Sequence, residues 1–375
     1  MTDFAPKVIL VTGAEGFIGK NLLVALQRRQ DVRVLSFDRS DGRAKLPLLL
    51  ERADIIFHLA GVNRPPRVEE FAADNSGLTG EIVALLLKMG RTPTIVMPSS
   101  TQALLNNAYG KSKHESERIL VEYARETGAD VRVYRLPGVF GKWSRPNYNS
   151  VVATFCYNII RGLPIAITDP GREIELVYID DVVDEFLSII DAVPVMVDGI
   201  CQIEKTYWIT LAQLAGRIQA FAEMRHTGVL PDFSAAITQR LYATYLSFLP
   251  EDAFAYPLAV KGDDRGDLFE LIKSDHIGQI FVSRTTAGVT RGNHCHDTKV
   301  EKFCVVKGRA VVRFRHLLKS AVFEYPVSDA NIEVVDIPPG YAHSIENVGD
   351  GEMIVLFWAD QRFDPAQSDT HSVRV

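Results

Sequence analysis

Tyr109 and Lys113 lie four positions apart, a spacing that puts two side chains on one face of a helix. An ammonium beside a phenol lowers the phenol's pKa and makes it a usable acid or base near neutral pH. Ser100, nine residues upstream, follows the strand-like run Thr94–Met97 and can hydrogen-bond a substrate carbonyl. Near the start, Thr12-Gly13-Ala14-Glu15-Gly16-Phe17-Ile18-Gly19 joins an apolar run to a helical one. Glycines at such a junction let the backbone turn tightly and approach a pyrophosphate, whose charge rests on the helix N-terminus. Asp38, 25 residues beyond Gly13, is placed to hydrogen-bond an adenosine ribose, and Arg39 to face a 2′-phosphate. The pair leaves NAD and NADP both open. Together these residues could reduce a ketone with a nicotinamide.

A second group lies far downstream. His294, Cys295 and His296 are followed by Glu301 and Lys302, and later by His343. On a strand, His294 and His296 point to one face and Cys295 to the other, and only one of Glu301 and Lys302 faces inward. Three imidazoles and a carboxylate converging would make an N₃O site suited to zinc, iron, nickel or manganese.

Elements of two kinds must hold these groups. Up to about residue 190, short β-branched runs (Val8–Val11, Val32–Phe37, Ile55–Leu59, Thr94–Met97, Val131–Leu136) alternate with helical stretches (Lys20–Gln30, Ser76–Met89, Lys111–Thr127). Asp180–Ala192 and Leu211–Ala222 add two more helices. The alternation predicts an α/β, doubly wound parallel sheet of Rossmann type. From Ala259 onward the pattern changes to short strands separated by Gly, Pro, Asp and Asn, which predicts an all-β sandwich or barrel. The boundary falls in Leu249–Tyr256, giving domains 1–248 and 249–375.

Composition narrows the function classes. Lys plus Arg number 41 against 47 Asp plus Glu, a net charge of −6 without a basic tract, which argues against nucleic acid as a partner. Apolar runs such as Pro47–Ala60 are broken by charge before the roughly 18 residues a membrane span requires. The start runs into a strand past Asp3, unlike a signal peptide. Four cysteines without a CxxC pair suit a reducing compartment, so a cytoplasmic protein is expected.

The ordered motifs of the first domain resemble the extended, nucleotide-sugar branch of the short-chain dehydrogenase/reductases. Thr12–Gly19 matches TGxxGxxG, and His58-Leu59-Ala60-Gly61 matches its HxAG strand end. Asn75, Arg135-Leu136-Pro137 and Tyr178–Val182 match further landmarks. The resemblance implies Ser100, Tyr109 and Lys113 as catalytic residues. It also implies a cofactor site of Gly13, Gly16, Phe17, Ile18, Gly19, Asp38, Arg39, Leu59, Ala60, Gly61, Tyr109 and Lys113. Only about 16 residues separate Asp38 from Asp54, where that branch fits a further strand, so weak adenine binding is expected.

The second domain resembles the cupins, jelly-roll barrels. Gly288–Gly308 fits G(x)₅HxH(x)₄E(x)₆G and Pro338–Asn347 fits PxGxxHxxxN, which implies His294, His296, Glu301 and His343 as metal ligands. Asp263–Gly266, Thr290–His294 and Ile337–His343 also resemble segments of the dTDP-sugar 3,5-epimerases. That likeness implies a diphosphate contact for Arg265 and a base role for His294, which is therefore either base or ligand. Over its whole length the chain resembles the CapF/WbjC-type bifunctional enzymes of capsule and O-antigen synthesis, with Gly141-Lys142-Trp143 to Tyr157 characteristic of them. This likeness implies Arg135, Asn147, Asn149, Arg265 and Arg291 as substrate contacts. It also implies a UDP-sugar substrate, zinc, NADPH with NADH as the alternative, and a homodimer paired through the cupin. C3 epimerisation of a UDP-2-acetamido-2,6-dideoxy-4-ketohexose, with Lys302 or a metal steadying the enolate, would precede C4 reduction. Two readings compete: a reductase whose cupin only binds or dimerises, and a non-catalytic sugar-nucleotide sensor.

Overall fold

In β1 (Lys7–Thr12) the residues Ile9, Leu10 and Val11 are fully buried, as are Ile56 and Phe57 in β3 (Ile55–His58). Strands apolar on both faces belong inside a parallel sheet covered by helices. With β2 (Val32–Phe37), β4 (Thr94–Ser100) and β5 (Val131–Leu136) they form such a sheet in the order β2-β1-β3-β4-β5. Ile200–Cys201 and then Met196–Val197 extend it beyond β5. A computed structural model of the chain describes residues 5–191, 196–197, 200–258, 260–263, 266–269, 278–361, 366 and 368–375. It divides into two units, Met1–Val139 with Glu175–Trp208, and Phe140–Ile174 with Ile209–Val375.

The sheet order reverses between β1 and β3, the place where open α/β sheets bind ligands. β2 is its outer edge. Past it, the residues Arg43–Leu50 form a short 3₁₀ turn and a helix in place of another strand. The Ala108–Thr127 helix starts three residues before the sequence pattern suggests, because the Asn107 side chain caps it by accepting the Gly110 N–H at 2.7 Å. It ends at Gly128, whose φ of 73° is the left-handed conformation that closes a helix. Its buried Leu120 and Tyr123 pack in one core with Leu10, Ile56, Leu86, Ile95 and Met97.

The second unit carries two five-stranded antiparallel sheets, as a cupin barrel requires. One runs Ala255–Pro257, Glu333–Ile337, Glu301–Lys307, Met353–Ala359, Gln279–Thr285; the other Val322–Ser328, Arg309–His316, Tyr341–Asn347, Thr290–Cys295, His371–Ser372. The Leu211–Thr227 and Ala236–Leu246 helices belong to the same unit. There Lys302 Nζ donates to Asp336 Oδ1 at 2.5 Å and to the Tyr256 hydroxyl at 3.1 Å, while Arg225 Nη1 lies 3.3 Å from Asp336 Oδ2. Burial alone would depress the Lys302 pKa, but Asp336 holds it well above its ordinary value. Among the described residues, no helix is long and apolar enough to cross a membrane.

Removing one charge from this cluster strands the others. Asp336→Asn is expected to cost about 3–5 kcal/mol, seen as a lower midpoint in urea unfolding. An unchanged midpoint contradicts the view that Asp336 neutralises both cations.

Candidate active sites

In the first unit the glycine turn is dictated by close approach. Gly13 has φ 67°, and a Cβ there would lie 2.7 Å from the Ala60 Cα and backbone N. At Gly19 a Cβ would lie 2.3 Å from the Gly13 carbonyl oxygen. Gly16 stands as the N-cap of the Phe17–Leu26 helix, so Phe17 and Ile18 form its first turn and leave its first N–H groups pointing outward. The Asp38 carboxylate accepts the Glu15 N–H at 3.1 Å, and burial holds its pKa above the ordinary value. The exposed Arg39 is paired with Asp74.

His58 braces this turn. Its Nε2 lies 2.9 Å from the Thr79 hydroxyl, which itself donates to the Asn75 carbonyl at 3.0 Å; Nε2 therefore carries the proton. Its Nδ1 accepts from Thr12, whose oxygen in turn accepts the Ala60 N–H at 3.2 Å. Burial drives the His58 pKa down to about 3, leaving a neutral strut between Leu59-Ala60-Gly61 and the core.

Ser100 is the last residue of β4, not a residue beyond it, and its Oγ accepts the Gln102 N–H at 3.2 Å. Tyr109 and Lys113 occupy the first turns of the Ala108–Thr127 helix. The Tyr109 ring stacks obliquely on Phe71 at 5.8 Å. Lys113 Nζ donates to the Pro98 carbonyl at 2.7 Å, fastening the helix to β4, and burial lowers its pKa to about 8. Asn75 Nδ2 donates to Ser112 Oγ at 2.9 Å, and that hydroxyl donates to the Tyr109 carbonyl at 2.8 Å. Arg135 is engaged by Glu117, Nη2 to Oε2 at 2.6 Å. Asn147 and Asn149 are exposed residues of the second unit.

In the second unit, His294, His296, Glu301 and His343 each offer a ligand atom, all within 4.8 Å of one another. His294 and His343 are cross-strand partners in one sheet, and Glu301 opens a strand of the other, so the cluster lies between the sheets. His296 follows the end of its strand; a bulge at Asn293 (φ 57°) re-aims the segment, so strict alternation does not place the pair. His296 Nδ1 faces the Asp369 carbonyl at 2.5 Å, and a carbonyl only accepts, so Nδ1 carries the proton. Nε2 lies 3.3 Å from Glu301 Oε2 without a hydrogen bond, so in the neutral ring two lone-pair-bearing atoms face each other. Among the described residues, neither nitrogen of His343, which is 1% exposed, has a hydrogen-bond partner. This donor set fits a divalent cation. Burial lowers His294 to about 4 and His343 well below its ordinary value, so both imidazoles are neutral at pH 7, as ligands must be.

Lys302 is not brought into this cluster. One step along the strand from Glu301, it points to the opposite face and meets Asp336. Arg291 is tied to the end of the preceding strand, in the other sheet, Nε donating to Thr285 Oγ1 at 2.9 Å. Arg265 lies outside the described residues. Asp369, which fixes the His296 tautomer, is 73 residues away, and no local pattern points to it.

Residues 9–199 match the model of the NAD dependent epimerase/dehydratase family, and residues 261–371 that of the polysaccharide biosynthesis C-terminal domain. The chain is 43% identical, over 98% of both lengths, to a Pseudomonas aeruginosa protein named UDP-2-acetamido-2,6-β-L-arabino-hexul-4-ose reductase. It is also similar to the crystal structure of the capsular polysaccharide assembling protein CapF of Staphylococcus aureus (TM-score 0.68, 42% identity, 98% of this chain and 100% of that one). A Bacillus subtilis spore coat polysaccharide biosynthesis protein, SpsL, is 26% identical over 28% of this chain and 78% of its own.

The Glu117–Arg135 pair yields a stability test. Burial alone would raise the Glu117 pKa, but Arg135 and Ser99 hold it below its ordinary value. A depressed carboxylate contributes full stability above its unfolded value, near 4.5, and loses it as pH falls through the folded one. Glu117→Gln should cost about 2–3 kcal/mol at pH 7, lowering the thermal midpoint, with the gap to wild type shrinking below pH 4. A gap independent of pH would contradict the pairing.

Proposed function

Because the chain belongs to the family of the P. aeruginosa UDP-sugar reductase and S. aureus CapF, with an NAD-dependent epimerase/dehydratase region in front, we propose that it is a bifunctional enzyme. Its second domain (249–375) epimerises C3 of a UDP-2-acetamido-2,6-dideoxy-4-ketohexose. Its first (1–248) then reduces C4 to give UDP-2-acetamido-2,6-dideoxy-L-talose, on the route to UDP-N-acetyl-L-fucosamine. The observation that carries the reading is the convergent N₃O donor set, in the same chain as a Tyr–Lys helix fastened to the carboxyl end of β4.

The residues divide the chemistry. NADPH, when bound, supplies the hydride to C4. Tyr109 gives its proton to the C4 oxygen, Ser100 polarises the carbonyl, and the Lys113 ammonium eases loss of the phenol proton. Asp38 and Arg39 face the adenosine side, and Arg135, Asn147, Asn149, Arg265 and Arg291 hold the UDP-sugar. Zinc, when bound, supplies a Lewis acid that stabilises the enolate. His296, Glu301 and His343 hold it, since no redox step calls for another metal. His294, the only one of the four that is not buried, is either the remaining ligand or the base that takes the C3 proton. Order follows from acidity: the C4 ketone acidifies the C3 proton, and reduction removes that activation. The reading is of a cytoplasmic homodimer, paired through the second domains.

Two measurements test it. Tyr109→Phe should abolish NADPH oxidation while C3 deuterium exchange, followed by NMR in deuterium oxide, continues. Full reductase turnover in that variant overturns the role of Tyr109. Elemental analysis of protein never exposed to chelator should find about one zinc per chain, and none would refute the metal site.

A further inference from the structure

The segment Gly141–Asn147 is conformationally costly. Gly141 has φ 148°, Trp143 φ 68° and Asn147 φ 54°. Positive φ at a bulky residue such as tryptophan is rare and persists only where surrounding packing imposes it.

That packing lies at the metal-type cluster. The Gly340 N–H donates to the His296 carbonyl at 3.3 Å, joining the turn three residues before His343 to the one that bears His296. Trp143 covers this junction: a Cβ on Gly340 would sit 3.0 Å from its Cζ2 and 3.3 Å from its Nε1. The indole also meets His316, centroids 5.5 Å apart, and the Leu317 N–H donates to the Gly340 carbonyl at 3.0 Å. Lys142, 3% exposed, reaches the next carbonyl along, its Nζ 3.4 Å from the oxygen of Asp297. Two consecutive residues from another part of the chain thus hold the Asp297 carbonyl and the glycine that joins the two ligand loops.

We propose that Lys142 and Trp143 are positioning residues of the metal centre, clamping the His296 and His343 loops at the spacing a divalent ion requires. Lys142 neutralises the outward carbonyl next to His296, and the indole prevents Gly340 from swinging away from the His296 backbone. The strained backbone is the consequence of bringing both to one point. Asn147 and Asn149 follow on the same segment, so the residues read above as sugar contacts share their support with the metal ligands.

The inference rests on the reading of the cluster as a metal site, and the test separates the two. Full-length protein is loaded with cobalt(II), its visible absorption recorded, and zinc release to a chromophoric chelator timed. Trp143→Gly removes the ring while permitting the positive φ, Trp143→Phe keeps an aromatic face, and Lys142→Met keeps the stem without the charge. Zinc release should be about tenfold faster or more in Trp143→Gly and Lys142→Met, the usual scale for losing an outer-shell support. The cobalt band should shift in both, and Trp143→Phe should return most of the wild-type rate. If wild type takes up neither metal, the site reading fails and the clamp with it. If wild type binds metal and folded variants match its band and release rate within twofold, the clamp is wrong and the metal site stands. Trp143→Phe and Lys142→Met decide the matter should Trp143→Gly not fold.

Discussion

An imidazole nitrogen set against a carboxylate oxygen in a protein interior, without a hydrogen bond between them, is an arrangement that proteins avoid unless a cation answers it. His296 Nε2 facing Glu301 Oε2 is that arrangement, and much of the second unit serves to maintain it. Asp369 fixes the ring so that the bare nitrogen faces inward. The same aspartate's carboxylate accepts the Asp297, Thr298 and Lys299 N–H groups, freezing the turn that follows. The bulge at Asn293 delivers His294 from the same strand, and cross-strand pairing delivers His343 beside it. Each element would be neutral or unfavourable for stability alone; their agreement on one point is what identifies a site.

The first unit obeys a different constraint, contact between backbones. Gly13 and Gly19 leave no room for a Cβ, Asn107 caps the Ala108–Thr127 helix, and Lys113 fastens it to β4. A neutral buried histidine, His58, joins the turn to the core through two threonines. These contacts hold the turn, the helix and β4 together, the kind of preorganisation that positioning a phenol against a carbonyl would require.

Sequence patterns captured most of the first unit because its strands are short, doubly buried and bounded by turn residues. Val32–Phe37 and Val131–Leu136 coincide with the observed strands to the residue. The Ala236–Leu246 helix escaped notice because seven of its eleven residues are buried, with Thr238 and Thr244 among them, so no polar stripe marks its period. The metal-type residues were legible from spacing because three of the four lie within eight residues of one another. Asp369, Lys142 and Trp143 were not legible as their support, since they arrive from distant parts of the chain and only folding reveals their partners. Lys302 shows the limit of adjacency: one residue from Glu301, it belongs to the Asp336 cluster on the other face.

The interleaving of the two units also has a bearing on how the protein is made. Trp143 emerges from the ribosome well before Gly340, the residue its indole covers, which follows roughly 200 residues later. At synthesis rates of about 5–20 residues per second that interval is roughly 10–40 s. For that time the indole lacks the glycine turn it covers, so the packing that imposes the positive φ of Trp143 forms late. A second unit supplied as a polypeptide that begins at residue 209 would have to recruit its first segment from another chain.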